Sequence, residues 1–265
     1  MAHMRLIVNP AAGSGRGNRY WPRFQEQLNS LGVHYECDLT EAPGHARELA
    51  RAAAQKGYDV IVAVGGDGTI NEVVNGIFEA DALGNVALGI LNAGTGCDCA
   101  RTLGIPHECK AACERLLNPK MVAVDLGVAE FSTNGRLVRR AFLNNAGLGL
   151  DAEVVKTMAR RFRVPGRTLR YLIAVIATLA SFRNRHVEFS LDGELHSQKV
   201  CMLGANNFKY LAAGMLFAPD ADYRDGLLDV VTIGDLSKPD LLWTLPRVYS
   251  GKHLTHPKVT VRKAK

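Results

Sequence analysis

Residues 58–76 constrain the fold of this chain more than any other stretch. Val60, Ile61, Val62, Ala63 and Val64 form an unbroken apolar run, as in a strand buried on both faces of a parallel sheet. Gly65, Gly66 and Gly68 then let the backbone turn tightly, and helical spacing follows at once. Ile70, Val73, Val74 and Ile77 recur at i, i+3, i+4 and i+7, which makes one buried stripe, while Asn71 and Asn75 share a polar face. A glycine turn feeding a helix N-terminus can set backbone N–H groups against a phosphate. Asp67 sits in that loop. A carboxylate beside phosphates is repelled unless a divalent cation lies between them or it takes a proton from an incoming hydroxyl, so Asp67 points to phosphoryl chemistry rather than passive binding. A hairpin turn at Asp67-Gly68 is the alternative, and the helical spacing after it argues against that reading. Known phosphate loops fit poorly. Asn71 stands where the Rossmann pattern needs glycine, and Gly251-Lys252 is followed by His253, so there is no Walker A. Neither His-Arg-Asp nor Asp-Phe-Gly occurs, which removes protein kinases.

The chain around this core alternates. Residues 4–9 read as a strand. Asn9, Pro10, Gly13, Ser14, Gly15 and Gly17 then form a turn into a helix over 18–31. That turn is either a second phosphate-side loop or ordinary loop composition. Residues 33–39 form the next strand, ending at Thr40, and 44–56 a helix with Ala46, Leu49, Ala50 and Ala53 inside. A strand over 86–91 follows the central helix, so the pattern predicts a parallel sheet with helices on both faces and ligands at the C-terminal strand ends. That strand leads into Gly94, Thr95 and Gly96. Asp98 and Arg101, three apart on a short helix, suit an ion pair or direct catalysis equally. Beyond Asp125 the alternation stops. Residues 125–145 and 185–233 read as short strands with turns at Asn134-Gly135 and Asp192-Gly193, joined by helices near 151–161 and 168–182. The expected fold class is therefore an α/β N-terminal domain with a parallel sheet (4–125), then a mainly β second domain (126–265).

Charge and cysteines narrow the setting. The formal net charge of +6 permits attraction to anionic lipids or nucleotides without choosing among them. Met1, Ala2 and His3 read as a cloning scar before a native Met4. No signal peptide is legible, and the apolar run over 171–182 is too short to span a bilayer. A cytoplasmic protein is expected, with six cysteines held as thiols. Cys97, Cys99, Cys109 and Cys113 lack the paired spacing of a zinc site. Arg160, Arg161, Arg163, Arg167 and Arg170 precede the apolar run 172–182. They read either as a basic collar beside an anionic membrane or as the solvated end of a buried helix containing Ala174, Ile176 and Leu179. Asp220, Asp222, Asp225 and Asp229 form an acidic cluster that is no EF-hand, because Val231 stands where its Glu belongs.

Three blocks, in order and spacing, carry a resemblance. They are Asn9-Pro10 with Gly13, the run from Gly65 through Asp67, Thr69, Asn71 and Glu72 to Gly76, and the run from Gly94 through Asp98 and Arg101 to Pro106. Asp125-Leu126-Gly127, Asn144, Gly147, Asp151, Ala218-Pro219 and Asp225-Gly226 continue it. The chain resembles the diacylglycerol kinase catalytic-domain family, closest to its soluble bacterial lipid kinases and more distantly similar to NAD kinases. The resemblance implies an ATP-dependent, Mg²⁺-dependent lipid kinase acting on a neutral lipid such as diacylglycerol, with no nucleic-acid partner. Asn9, Thr40, Gly65, Gly66, Asp67, Gly68, Thr69, Ile70, Asn71 and Thr95 would line the ATP, and Asp67 would organise Mg²⁺ and the reacting groups. A structural Mg²⁺ would take the Asp225 carboxylate and the carbonyls of Asp222 and Leu227, with a solvated acidic turn as the alternative. The resemblance also implies a peripheral position at the inner membrane face.

Two departures stand out. Cys97 replaces the family's usual Asn, and Cys99 an apolar or aromatic residue; a thiol cannot reproduce an amide's donors and acceptor. The sequence also ends at Lys265, before a later Asp-Gly-Glu segment whose Glu is thought to accept the proton. Asp192-Gly193-Glu194 matches the earlier, structural segment instead, so Glu194 is not assigned as the base. On that reading the chain is expected to bind ATP or ADP with Mg²⁺, to phosphorylate lipid poorly and to self-associate, as in a homodimer. An NAD kinase-like enzyme and a nucleotide-binding, catalytically silent regulator are the alternatives.

Overall fold

A computed structural model describes residues 2–159, 177–179 and 181–265. The basic run at Arg160, Arg161, Arg163, Arg167 and Arg170, and the apolar stretch that follows it except for residues 177–179, 181 and 182, lie outside the described residues. So does most of the helix expected over 168–182.

The chain divides into two compact units, and the first runs to Asn144 and takes in Tyr210–Gly214. Its sheet is built from β1 (Met4–Val8), β2 (Glu36–Leu39), β3 (Val60–Gly65) and β4 (Ala87–Asn92), in the order β2-β1-β3-β4. All three pairings are parallel, with Leu6 opposite Val62 and Val64 opposite Leu91. Between them run α1 (Ala12–Ser30), α2 (His45–Gln55) and α3 (Asp67–Glu79), as βα alternation requires. Side chains alternate across the sheet. Leu6, Val8, Val62 and Val64 form one core with Phe24 and Leu28 of α1 and with Ala112 and Cys113 of α5 (Cys109–Leu117). Ile7, Ile61 and Ala63, also fully buried, face the other way. There α3 packs with the stripe Ile70, Val73, Val74 and Ile77 inward, as its spacing predicts. A side chain at Gly76 would meet the Arg47 carbonyl and Ala50 Cβ of α2, which is why glycine stands there.

Three details differ from the sequence expectation. β2 begins at Glu36 rather than residue 33. Asp67 is the first residue of α3 rather than part of a loop, with Gly66 as an extended N-cap. Asn75, expected on a polar face with Asn71, is fully buried, because it grips a distant strand. That strand belongs to a hairpin of β5 (Gly127–Thr133) and β6 (Arg136–Phe142), which turns at left-handed Asn134 and Gly135 and lies in the first unit.

The second unit covers Asn145–Lys209 and Met215–Lys265. Its sheet is antiparallel: β7 (Asn145–Gly149), β9 (Glu194–Asn206), β12 (Leu228–Gly234) and β13 (Val259–Ala264) lie in the order β13-β12-β9-β7, and β8 (Arg185–Leu191) also pairs with β9. The β8–β9 turn is Asp192-Gly193, both left-handed, the geometry that lets a two-residue loop follow the twist of its strands. α6 (Leu150–Ala159) follows β7. The chain between β12 and β13 forms α7 (Lys238–Thr244) and two 3₁₀ turns, Leu245–Ser250 and Lys252–Thr255. Ser237 and Asp240 close a capping box at the start of α7. Among the described residues, no helix is long and apolar enough to cross a membrane.

Candidate active site

Within the first unit, the C-terminal ends of β1, β3 and β4 bring three glycine-containing turns together. Gly66 and Gly94 meet backbone against backbone: a Cβ on Gly94 would lie 2.3 Å from Gly66 Cα. No side chain fits on Gly94 in that contact, and a Cβ on Gly66 would crowd Gly94 Cα at 3.1 Å. Gly65 is equally constrained, because its Cβ would fall 2.4 Å from Thr69 Oγ1. The same hydroxyl accepts a hydrogen bond from Asn9 Nδ2 at 2.9 Å, while Asn9 Oδ1 accepts from Ala11 N. Asn9 thereby ties the first turn to α3. Beyond it, Gly13, Ser14 and Gly15 all lie in the left-handed region inside the nominal start of α1, so regular helix begins only after them. Thr40 continues the β1–β2 ladder through its N–H to the Val8 carbonyl.

Asp67 opens α3, where a carboxylate is favoured by the helix dipole. Its Oδ1 accepts from Cys99 N at 2.9 Å, and its Oδ2 faces Gly96, whose Cβ would come within 2.8 Å. Asp98 is buried nearby and accepts from the N–H groups of Ala213 and Gly214, both at 2.8 Å. Burial pushes the Asp98 carboxyl up, the neighbouring Asp67 carboxylate adds to this, and the two backbone N–H bonds oppose it. The i, i+3 ion pair suited to Asp98 and Arg101 gives way to separate tasks. Asp98 holds the turn over Tyr210–Gly214, and Arg101 lies over the Tyr210 ring, 5.3 Å from its centroid. Ala212 and Ala213 are left-handed in that turn, an unfavourable conformation for L-residues that the two bonds to Asp98 hold in place.

Cys97 is buried and left-handed, at φ 61° and ψ 31°, as N-cap of α4 (Asp98–Thr102). Cys99 Sγ donates to Asn144 Oδ1 at 2.6 Å, and burial raises its thiol well above the ordinary range. Both thiols therefore stay protonated at neutral pH.

The remaining expected residues separate by side chain. Thr69 joins Asn9, and Thr95 is half-buried in the turn after β4. The Ile70 side chain is buried in the core, so only its backbone can face a ligand. Asn71 Nδ2 reaches the Ala141 carbonyl at 3.3 Å. It lines a cavity of about 400 Å³ with Gly44, Arg47, Glu72, Arg140 and Phe142 among its walls. Glu72 Oε1 accepts from Gly44 N there, and Arg47 and Arg140 both reach Glu79. Sequence reading missed Asn75, whose amide clasps the Ala141 peptide at 2.9 and 3.0 Å. It also missed the return of Tyr210–Gly214 to this unit.

Asp222, Asp225 and Leu227 lie in the second unit. Asp225 Oδ1 accepts from Leu227 N at 3.0 Å, while its Oδ2 pairs with Lys263 Nζ at 2.5 Å. That ammonium holds the Asp225 carboxyl below its usual range. Asp222 Oδ1 accepts from Arg224 N and Nε, and the Asp222 carbonyl accepts from Asp225 N. As arranged, these carboxylates are matched by the chain's own cations, and the set does not fit a divalent ion unless Lys263 moves away.

Comparisons with known proteins agree with this architecture. Residues 3–129 match the family described as the diacylglycerol kinase catalytic domain, and residues 144–265 match the YegS C-terminal NAD kinase beta sandwich-like domain. A diacylglycerol kinase of Mycobacterium tuberculosis (strain CDC 1551 / Oshkosh) is 31% identical over 265 residues, covering 98% of this chain and 82% of the relative. One from Bacillus subtilis (strain 168) is 28% identical, covering 100% of this chain and 84% of the relative. In fold, the chain is similar to a solved diacylglycerol kinase from Bacillus anthracis str. Sterne, with TM-score 0.70, 22% identity, and coverage of 100% of this chain and 84% of that one.

Proposed function

Because this chain belongs to the diacylglycerol kinase catalytic-domain family and is a kinase, we propose that it transfers the γ-phosphoryl group of ATP to a hydroxyl of a neutral lipid such as diacylglycerol. The observation that carries this reading is the backbone contact of Gly66 with Gly94, which sets two side-chain-free turns beside the Asp67 carboxylate at the sheet's C-terminal edge. Phosphoryl transfer needs chiefly positioning and neutralisation of charge. Backbone N–H groups from the turns at Asn9, at Gly65, Gly66, Gly68 and Thr69, and at Thr95 would hold the phosphates, with Thr40, Ile70 and Asn71 completing the nucleotide side. This assigns the nucleotide to the domain over 4–125 and the lipid to the domain over 126–265, outside the segment between β12 and β13. Asp67 and Asp98 both face Gly96 and together form an anionic pole that suits a divalent cation; burial raises the Asp98 carboxyl, and the Asp67 charge adds to it. Mg²⁺ arriving with ATP would be held at Asp67 and would offset phosphate charge. Asp67, held by Cys99 N–H, orients the reacting groups.

The test is ³²P transfer from ATP to a panel of neutral lipids in detergent micelles, with NAD⁺ as a parallel acceptor. Diacylglycerol or a related neutral lipid should be labelled. Asp67→Ala should reduce that labelling by ~10² or more, since positioned acid–base or charge-neutralising groups contribute on that scale, with an unchanged melting curve. Labelling of NAD⁺ alone, or near-normal lipid labelling by Asp67→Ala, would sink the assignment.

A further inference from the structure

The segment between β12 and β13 buries one side and leaves an aromatic stripe on the other. Leu241, Thr244, Val248 and His253 point inward and are buried. On the outside, Leu242 is 54%, Trp243 62% and Tyr249 51% exposed, with Pro246 exposed between them. Trp243, at the end of α7, and Pro246 and Tyr249, in the 3₁₀ turn that follows, stand at steps of three; residues three apart are neighbours on an α-helix and eclipse in a 3₁₀ turn. They therefore form one continuous ridge. Scattered apolar residues on a surface are ordinary, but a contiguous ridge in a polar frame marks an interaction face.

The charges of this segment select the occupant. Residues 238–258 contain Lys238, Arg247, Lys252 and Lys258 against Asp240 alone. Arg247 lies over the Trp243 ring, 4.0 Å from its centroid, and donates to Thr255 Oγ1 at 3.2 Å, so a fixed cation sits on the ridge itself. A second copy of this chain would present the same positive charges face to face, which is unfavourable. A bilayer surface containing anionic phospholipid offers apolar depth to Trp, Tyr and Leu and negative charge to the basic rim.

We propose that the ridge of Leu242, Trp243, Pro246 and Tyr249, framed by Arg247 and Lys252, is the face through which this chain docks on an anionic phospholipid bilayer. The proposal draws biological sense from the lipid-kinase reading but stands on different residues from the proposed active site. Docking inserts Trp243 and Leu242 to the headgroup boundary, with Arg247 and Lys252 at phosphate level. Removing Leu242 and Trp243, the two groups that insert, should lower the partition coefficient roughly tenfold or more, given the apolar area they bury.

The experiment uses the full chain with vesicles of phosphatidylcholine alone or mixed with phosphatidylglycerol. Sedimentation with the mixed vesicles should exceed that with phosphatidylcholine alone, and should fall roughly tenfold in Leu242→Ser/Trp243→Ser. Tryptophan emission should shift to the blue on the mixed vesicles and be quenched by spin-labelled lipid. Trp243→Phe should abolish the shift and quenching while retaining most of the binding, which separates the ridge from Trp21. Melting curves establish that each variant is folded. Unchanged sedimentation of the double variant, an unshifted Trp243 on vesicles that bind, or dimerisation through the ridge without vesicle binding would overturn the proposal. Phosphorylation of a short-chain diacylglycerol in micelles should be unaffected by the double variant; absence of that activity in the unaltered chain would count against the kinase substrate instead.

Discussion

At the scale of single residues, Cys97 is one of the places where this chain departs from what its backbone favours. It holds φ 61° and ψ 31° with a buried thiol, a conformation that costs an ordinary L-residue about 1–2 kcal/mol and that Asn visits more readily through local hydrogen bonding. Burial raises the Cys97 thiol, the carboxylates of Asp67 and Asp98 add to this, and Asn92 opposes it, so the side chain is a neutral filler rather than a nucleophile. Cys97→Asn should therefore stabilise the first unit by up to about 1 kcal/mol, seen as a melting temperature a few degrees higher. If the loop belongs to the proposed nucleotide site, ATP should also bind more tightly. A lower melting temperature would show that the thiol's packing outweighs the backbone preference.

At the scale of elements, α3 is tied to the β5–β6 hairpin chiefly by the Asn75 amide, with Asn71 Nδ2 and the Glu79–Arg140 pair beside it. Asn75 Nδ2 donates to the Ala141 carbonyl and Asn75 Oδ1 accepts from its N–H, a side chain imitating the ladder of a neighbouring strand. Both partners are buried. Asn75→Ala orphans that peptide's N–H and leaves its carbonyl only the longer 3.3 Å bond from Asn71 Nδ2, and an orphaned buried group costs about 1–3 kcal/mol. Chemical denaturation should show a loss on the order of 2 kcal/mol or more; a variant as stable as the parent would mean that water replaces the amide without cost. This clamp also marks the limit of what the sequence discloses. The strand, turn and helix over 58–76 were legible because their signals are local: an apolar run, glycines, and a 3.6-residue stripe. The two hairpin turns were legible because Asn-Gly and Asp-Gly tolerate left-handed backbone. Asn75 read only as part of a polar face shared with Asn71, since nothing near it in sequence reveals a strand 66 residues away. Asp98 looked like a partner for Arg101 for the same reason: its real partners lie 115 and 116 residues on. Apolar periodicity reports which face is buried, and a long-range polar bond leaves no period to read.

At the scale of the whole molecule, buried ionisable groups make stability depend on pH with opposing signs. His253 is fully buried, stacked on Phe217, with Nε2 3.0 Å from the Phe217 carbonyl and Nδ1 without a hydrogen-bond partner. Burial lowers its pKa, the Phe217 carbonyl only partly opposing this, so the imidazole is neutral in the fold. With the folded value below the unfolded value of about 6.5, the unfolded chain binds more protons between the two. The stability from neutral His253 is thus fully present above about pH 6.5 and is lost as pH falls through that window. Asp98, Asp151 and Asp229 act oppositely. Burial raises all three, so the stability they favour is present below the unfolded carboxylate value and is lost as pH rises through their folded values. A melting profile of the parent chain alone mixes these contributions. The difference between the parent and His253→Gln isolates the histidine, because the carboxylates are common to both and glutamine can still donate to Phe217. The parent should lose stability faster than the variant between about pH 6.5 and 5, approaching at most ~1.4 kcal/mol per pH unit, the limit for one proton. Urea denaturation at closely spaced pH values measures both slopes. Parallel profiles from pH 8 to 5 would mean that His253 is protonated inside the fold, contrary to its burial and its stacking on Phe217.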